Sequence, residues 1–251
     1  MDRLDRHAEP YFRADLALVH HLGFGFHADG CAPRIIEALG PVRRRGGLVL
    51  ELGCGSGRLT QHLVAAGHRV IATDASPAML DLAREAAPGA EEFRRLVLPD
   101  DVLPQADAVV SVGHVLSCLA DETSLQRALA AAAQALSPGG IIALDLCDLR
   151  WGEARRDAAD QCRVEDDWTL ISRFSVPDRT RFVREMTTFV RVGEDAWRRD
   201  DERHDNVLVD TSQVPAQLAR HGVAAVIETT LGDYELPDGL VAIIGTRANQ
   251  G

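Results

Sequence analysis

Along the chain, the period of the apolar positions changes twice. Between Leu4 and Leu39 they recur at helical spacing, around Leu16, Leu18, Val19 and Leu22 and again at Ile35, Ile36 and Leu39. That spacing predicts two helices, with GFGFHADG as a glycine-rich hinge between them. From Leu48 the runs shorten to strand length, LVLEL, RVIAT, EFRRLVL, AVVSV and IIALDL, and alternate with amphipathic segments of helix length. Such alternation predicts right-handed βαβ units, that is, an α/β fold with a parallel sheet covered on both faces.

Two of the helices mark their own ends. Ser76 and Pro77 open SPAMLDLAREAAPG, which closes at Pro88-Gly89, and Asp121 opens DETSLQRALAAAAQALSPGG, which stops at Pro138. A serine or aspartate can cap the first free amides, and proline suits a first turn that needs no backbone donor. Beyond Arg150, alternation of apolar and polar residues takes over. DDWTLISRFSV, TRFVREMTTFVRV and AWRRDDERHDNVLV predict a three-stranded antiparallel meander, broken at Pro177-Asp178 and at Gly193-Glu194-Asp195. A helix near Gln213 to His221 and two strands, VAAVIETT and LVAIIGT, follow, without internal repeats.

With 251 residues, 46% of them hydrophobic, the chain can bury one full core, so residues 1–251 are read as a single domain. Lysine and arginine number 27 against 38 acids, a net charge of −11. The acids are scattered and not massed in a tail, and that balance argues against nucleic acid as a partner, since phosphate contacts need clustered positive charge. Cys31, Cys54, Cys118, Cys147 and Cys162 are odd in number and lack any CxxC or Cys/His ligand spacing. Reduced thiols in a cytoplasm, and no metal site, are expected. The segment MDRLDRHAEPYF is charged, and no apolar run approaches the ~18 residues of a membrane span. A soluble protein without a membrane partner is therefore expected.

Chemistry concentrates at Glu51-Leu52-Gly53-Cys54-Gly55-Ser56-Gly57, which follows a strand and precedes a helix. In a doubly wound sheet that first βα turn lies where cofactors bind, outside the carboxyl ends of the strands. Gly53 and Gly55 would let the backbone pass close under a ligand, and Gly57 would let the next helix pack against the strand. A side chain at any of them would fill ligand space. The dinucleotide fingerprint is GxGxxG, whereas this turn is GxGxG and starts after an acid; both differences weigh against a pyrophosphate and hence a nicotinamide dehydrogenase. Asp74 ends the second strand about 20 residues on, placed to accept both hydroxyls of an adenosine ribose. The turn suits an adenosine whose other end is not a diphosphate, and S-adenosylmethionine is such a molecule.

LELGCGSG together with IATDAS resembles motifs I and II of the class I S-adenosylmethionine-dependent methyltransferases of small-molecule type. The similarity runs from about Gly46 to Leu149 and includes ADAVVSVGHVLSCL and ALSPGGIIALDL. It implies a Rossmann-like seven-stranded sheet in the order 3-2-1-4-5-7-6, the last strand antiparallel. An N-terminal helical lid (1–45), a cofactor-binding core (46–150), an antiparallel β insertion after strand five that covers the substrate (151–207), and a C-terminal helix and strands (208–251) go with it. The resemblance assigns S-adenosylmethionine to Glu51, Gly53, Cys54, Gly55, Gly57 and Gly113, with Tyr11 from the lid. It gives Asp74 the ribose, sets Ala75 and Met79 as the adenine floor, and has an acid after strand three reach the adenine amine. Asp101 is assigned there, with Asp100 beside it; LPDDVLP replaces the family's glycine-aspartate pair at this point.

Methyl transfer from a sulfonium mainly needs a positioned nucleophile and the exclusion of water, and a base where the acceptor is protonated. His114, after the fourth strand, and His204, on the last meander strand, are the candidate catalytic residues; a hydrogen-bonded structural histidine is the bland alternative for either. The run Arg198, Arg199, Asp200, Asp201, Glu202 and Arg203 alternates in sign, as solvated faces do, and is given no chemistry. Tyr11, His20, His21, Phe26 and His27 fall on the lid. Trp168 and Trp197 either line a pocket or anchor the meander.

The favoured function is methylation of a small molecule at oxygen, nitrogen or carbon by a monomer or homodimer. A protein or RNA acceptor, or a non-catalytic S-adenosylmethionine-binding regulator, are the alternatives. The missing Asn/Asp-Pro-Pro-aromatic motif after strand four argues against DNA bases.

Overall fold

The computed structural model describes residues 11–249. Residues 1–10 of the expected lid lie outside that range. Three helices precede the first strand: α1 (Ala14–Gly23), α2 (Phe26–Ala38) and α3 (Gly40–Arg44). GFGFHADG is not the hinge its glycines suggested. Only Phe24 and Gly25 separate α1 from α2, and His27 to Gly30 lie within α2. Gly30 serves packing: a Cβ there would come within 2.6 Å of the Tyr234 ring.

The sheet is built from β1 (Leu48–Leu52), α4 (Arg58–Ala65), β2 (Arg69–Asp74), α5 (Pro77–Ala86), β3 (Glu92–Arg95), β4 (Ala106–Ser111), α6 (Glu122–Ala135) and β5 (Leu136–Cys147). The Ser76 hydroxyl accepts the Met79 amide at 3.1 Å, and the Asp121 carboxylate accepts that of Ser124 at 2.7 Å, capping α5 and α6 as their sequences require. α6 stops at Ala135, ahead of Pro138, because the residue before a proline is pushed out of helical geometry. EFRRLVL forms a strand only over its first four residues.

After α7 (Leu149–Arg155) come β6 (Gln161–Val164), β7 (Trp168–Asp178), β8 (Arg181–Arg191) and β9 (Trp197–Val207), a four-stranded antiparallel sheet. It has one strand more than expected. The chain ends with α8 (Val214–Ala219), β10 (Val223–Glu228), a small hairpin of β11 (Thr230–Leu231) and β12 (Tyr234–Glu235) that the sequence did not announce, and β13 (Leu240–Arg247).

The main sheet runs β10-β13-β5-β4-β1-β2-β3, with β1 to β5 parallel and β13 antiparallel to both neighbours. This is the expected 3-2-1-4-5-7-6 order. Period-two alternation sends Leu50 and Leu52 to one core with Leu129 and Leu218, and Val49 to the other with Ile35, Leu63 and Leu80. Both faces are thereby sealed, and the polar chemistry is left to the carboxyl ends of the strands.

Candidate active site

The turn after β1 is held open by backbone geometry. Gly53, Gly55 and Gly57 all have positive φ, +67°, +52° and +83°. Their reasons differ, and only one of them concerns ligand space. A Cβ on Gly53 would strike Val115 at 2.3 Å, and one on Gly57 would strike the Ala83 backbone of α5 at 2.9 Å, whereas at Gly55 it would meet nothing within 4 Å. Gly55 thus borders a cavity, and Gly57 packs against α5 instead of its own strand.

Asp74 secures this turn. Its carboxylate accepts the Gly55 amide at 2.9 Å with one oxygen and the Ser76 amide at 2.8 Å with the other. Burial raises its pKa while the backbone donors pull it down. The Cys54 amide donates to the Thr73 carbonyl at 2.8 Å, tying the turn to β2. Glu51 is buried, accepts the Thr60 hydroxyl at 2.7 Å, and is pushed up to about 8 by desolvation. Ala75 and Met79 continue the wall.

A second polar centre was not foreseen. Asp145, 1% exposed near the carboxyl end of β5, accepts the Gly113 amide at 2.9 Å and the His114 amide at 2.5 Å, and pairs with His27 Nε2 at 2.7 Å. His27 Nδ1 lies 3.0 Å from the Tyr234 hydroxyl. One buried carboxylate therefore fixes the turn after β4 and the start of α2 together. Its signal was available: a lone acid inside the apolar run IIALDL, where a charge must be paired. His114 takes the left-handed conformation, φ +49°, and its Nδ1 is buried without a partner among the described residues. Burial pushes it down to about 4, so the ring is neutral at neutral pH.

The opposite wall comes from the meander and residues 11–27. Glu202 is 7% exposed and accepts the Phe12 amide at 2.8 Å, the Arg13 amide at 2.7 Å and a contact from His204 Nε2 at 2.9 Å. Asp15 is buried against Arg198, and Arg13 pairs with Asp200 at 2.6 Å. The run 198–203 is thus solvated over Arg198, Arg199, Asp201 and Arg203, as its alternating charges suggested, while Glu202 is buried and, with Asp200 and Arg198, holds the N-terminal segment. His204 is stacked on Tyr11 with centroids 4.1 Å apart, and burial lowers its pKa.

These walls enclose one cavity of about 1940 Å³, bordered by Tyr11, Glu51, Gly53, Cys54, Gly55, Asp74, Ala75, Met79, Gly113, His114 and His204. The lid residues His20, His21, Phe26 and His27 reach it as well. Gly57 and Asp101 do not border it. The Asp101 carboxylate is exposed and accepts the Val97 amide at 2.7 Å, while Asp100 pairs outward with Arg127 at 3.0 Å; Leu96, Val97 and Leu98 form that part of the wall. Trp168 anchors α1, buried with Leu16, Val19 and Met186, and Trp197 lies at the surface under Arg191. The tryptophan in the cavity is Trp151, near His114 at 5.6 Å between ring centroids.

A family model described as a methyltransferase domain matches residues 49–140, from β1 through the glycine turn into β5. An uncharacterized methyltransferase of Mycobacterium tuberculosis (strain ATCC 25618 / H37Rv) is 35% identical over 180 residues, 65% of this chain and 71% of the relative. Among solved structures, the sugar N-methyltransferase KedS8 from Streptoalloteichus sp. ATCC 53650 has a TM-score of 0.76 at 20% identity, covering 99% of each chain. CalS10, an amino pentose methyltransferase from Micromonospora echinaspora solved with S-adenosylmethionine bound, has a TM-score of 0.68 at 20% identity, covering 96% of this chain and all of its own. Those structures share the fold, while the mycobacterial relative shares enough sequence to carry descent. On that footing the chain belongs to the class I S-adenosylmethionine-dependent methyltransferases, enzymes that take the methyl group from that cofactor.

Proposed function

We propose that this enzyme methylates an oxygen, nitrogen or carbon atom of a small molecule enclosed between the carboxyl ends of the sheet and the inner face of the meander. The observation that carries the reading is the continuous cavity of about 1940 Å³. Pockets for one ligand commonly measure roughly 300–1,000 Å³, so there is room for cofactor and acceptor together. The N-terminal segment and β9 are hydrogen-bonded across its roof, which suits a compact acceptor better than a polypeptide. The sugar and amino pentose methyltransferases of the same fold support that acceptor class.

The residues present fit the cofactor. Gly55 offers a cradle that any Cβ would fill, and Asp74, with one backbone donor on each oxygen, keeps lone pairs for ribose hydroxyls. Glu51, Gly53, Cys54 and Gly113 are assigned to the amino-acid end, and Ala75 and Met79 to the adenine. The bound cofactor supplies an electrophilic methyl sulfonium. The protein orients the acceptor, keeps water out, and receives a proton where the acceptor carries one. His114 is the base: it is neutral, and its Nδ1 is uncommitted. His204 has its Nε2 engaged by Glu202 and shapes the wall. Five unpaired cysteines fit a reducing, cytoplasmic setting.

The test is to incubate the protein with methyl-labelled S-adenosylmethionine and a cell extract divided into small molecules, RNA and protein. Label among the small molecules is expected; label in protein or RNA would overturn the acceptor class.

A further inference from the structure

Arg184 projects from the middle of β8, in phase with Phe182, Met186 and Val190, whose side chains are buried. It borders the cavity, yet its guanidinium makes no hydrogen bond or ion pair with any described residue, and its Nε is buried without a partner. A cation removed from water normally has a carboxylate beside it, since an unpaired charge in a wall is costly. Here the nearby acids are already engaged: Glu202 by Phe12, Arg13 and His204, and Asp145 by Gly113, His114 and His27. The ionisable groups that act on Arg184 are the thiols of Cys118 and Cys147, both held protonated by burial.

Three histidines surround the same point. His20, His114 and His204 each feel the Arg184 charge, and all three are shifted toward the neutral form. His20 Nδ1 and His114 Nδ1 are buried without partners among the described residues. One end of the cavity is thus lined with a fixed cation and uncommitted imidazole nitrogens, while the nearest carboxylates, Glu202 and Asp145, are committed to other donors. Leu170, Phe174, Phe182 and Met186 form an apolar rim around them.

We propose that the methyl acceptor carries an anionic group, a carboxylate or a phosphate, that pairs with Arg184 while its apolar body lies along β7 and β8. This rests on the small-molecule reading above and narrows it to a class. The anion is the anchor and not the methylated atom, because pairing with a guanidinium lowers its nucleophilicity. With the cofactor bound, the methyl carbon would bond to another atom of the acceptor as its bond to the sulfonium breaks, the electron pair staying on sulfur in S-adenosylhomocysteine and the acceptor atom's proton, where one is present, going to His114.

Calorimetry on the protein saturated with S-adenosylhomocysteine tests this without knowing the acceptor. Benzoate and phenyl phosphate are compared with the uncharged benzamide, on the wild type and on Arg184→Met. The expected result is at least about tenfold tighter binding of one anion than of benzamide. That preference should vanish in Arg184→Met and persist in part in Arg184→Lys, with S-adenosylhomocysteine affinity unchanged in both. Whichever of benzoate and phenyl phosphate binds tighter identifies the anion. Equal binding of anion and amide, or a preference that survives Arg184→Met, overturns the proposal. So does a loss of S-adenosylhomocysteine affinity in Arg184→Met without anion binding by the wild type, because the cofactor's own carboxylate would then be the partner. Label found in protein or RNA in the extract experiment would sink the small-molecule reading instead, whatever benzoate does.

Discussion

A single carboxylate, Asp74, both closes the glycine turn and presents itself to the cavity. Removing it in Asp74→Ala should raise the dissociation constant for S-adenosylmethionine by about one to two decades, the loss associated with a charge-assisted hydrogen bond. Calorimetry measures this, and unchanged affinity would take Asp74 out of the site. Glu51 makes a prediction of opposite character, through pH. Burial pushes its carboxyl up to about 8 in the folded protein, from an ordinary value of 4.5. Between those values the unfolded chain has released a proton that the folded protein retains, so its contribution to stability is intact below 4.5 and lost as pH rises toward 8. Glu51→Gln does not titrate, so it should gain stability relative to wild type from pH 5 to pH 8, read from urea midpoints. The buried histidines slope the other way but are common to both proteins and cancel in the difference. A difference that stays constant across that range would show Glu51 ionising normally. At this scale the sequence was legible where spacing carries meaning, at Gly55 and Asp74. It marked Asp145 only as a charge inside an apolar run, without its partners, and was silent on Arg184, whose role depends on which neighbours are already engaged.

The elements of the α/β core were legible because each has a local signature: caps at Ser76 and Asp121, strand-length apolar runs, and helix-length gaps between them. The meander was legible as strands, and its place as a cover over the substrate came only from the family resemblance; which of its side chains turn inward was not legible. That Glu202 and Asp200 turn toward Phe12 and Arg13 while their neighbours face water is decided by a segment nearly 190 residues away, and no local period records that. Glu202 is the hinge of this arrangement, with the Phe12 and Arg13 amides and His204 on one carboxylate. Glu202→Ala would leave these donors without that acceptor, at a cost of about 1–3 kcal/mol. Hydrogen exchange should show faster exchange of the Phe12 and Arg13 amides, together with a lower urea midpoint. Unchanged protection of both amides would mean that the Ser76 contact to the Phe12 carbonyl, at 2.7 Å, suffices to hold the segment.

For the whole molecule, the inner and outer electrostatics oppose each other. The chain carries a net charge of −11, while one end of its cavity holds a cation, Arg184, that has no partner among the described residues. An anionic ligand is therefore repelled during its approach and attracted only once inside. The two effects respond differently to salt: the long-range repulsion is screened beyond a Debye length of about 10 Å at 0.1 M, whereas a desolvated contact with Arg184 is screened much less. Raising ionic strength from about 10 to about 150 mM should then speed the association of benzoate with the S-adenosylhomocysteine-loaded protein by a few fold, and leave benzamide unaffected. Trp151, in the cavity wall, provides a fluorescence signal for stopped-flow measurement. An association rate for benzoate that falls with salt would mean that the cavity mouth, and not the net charge, governs the approach. The field of Arg184 would then extend beyond the cavity, and the clustered neutral histidines would be acting as a conduit for anions and not only as their seat.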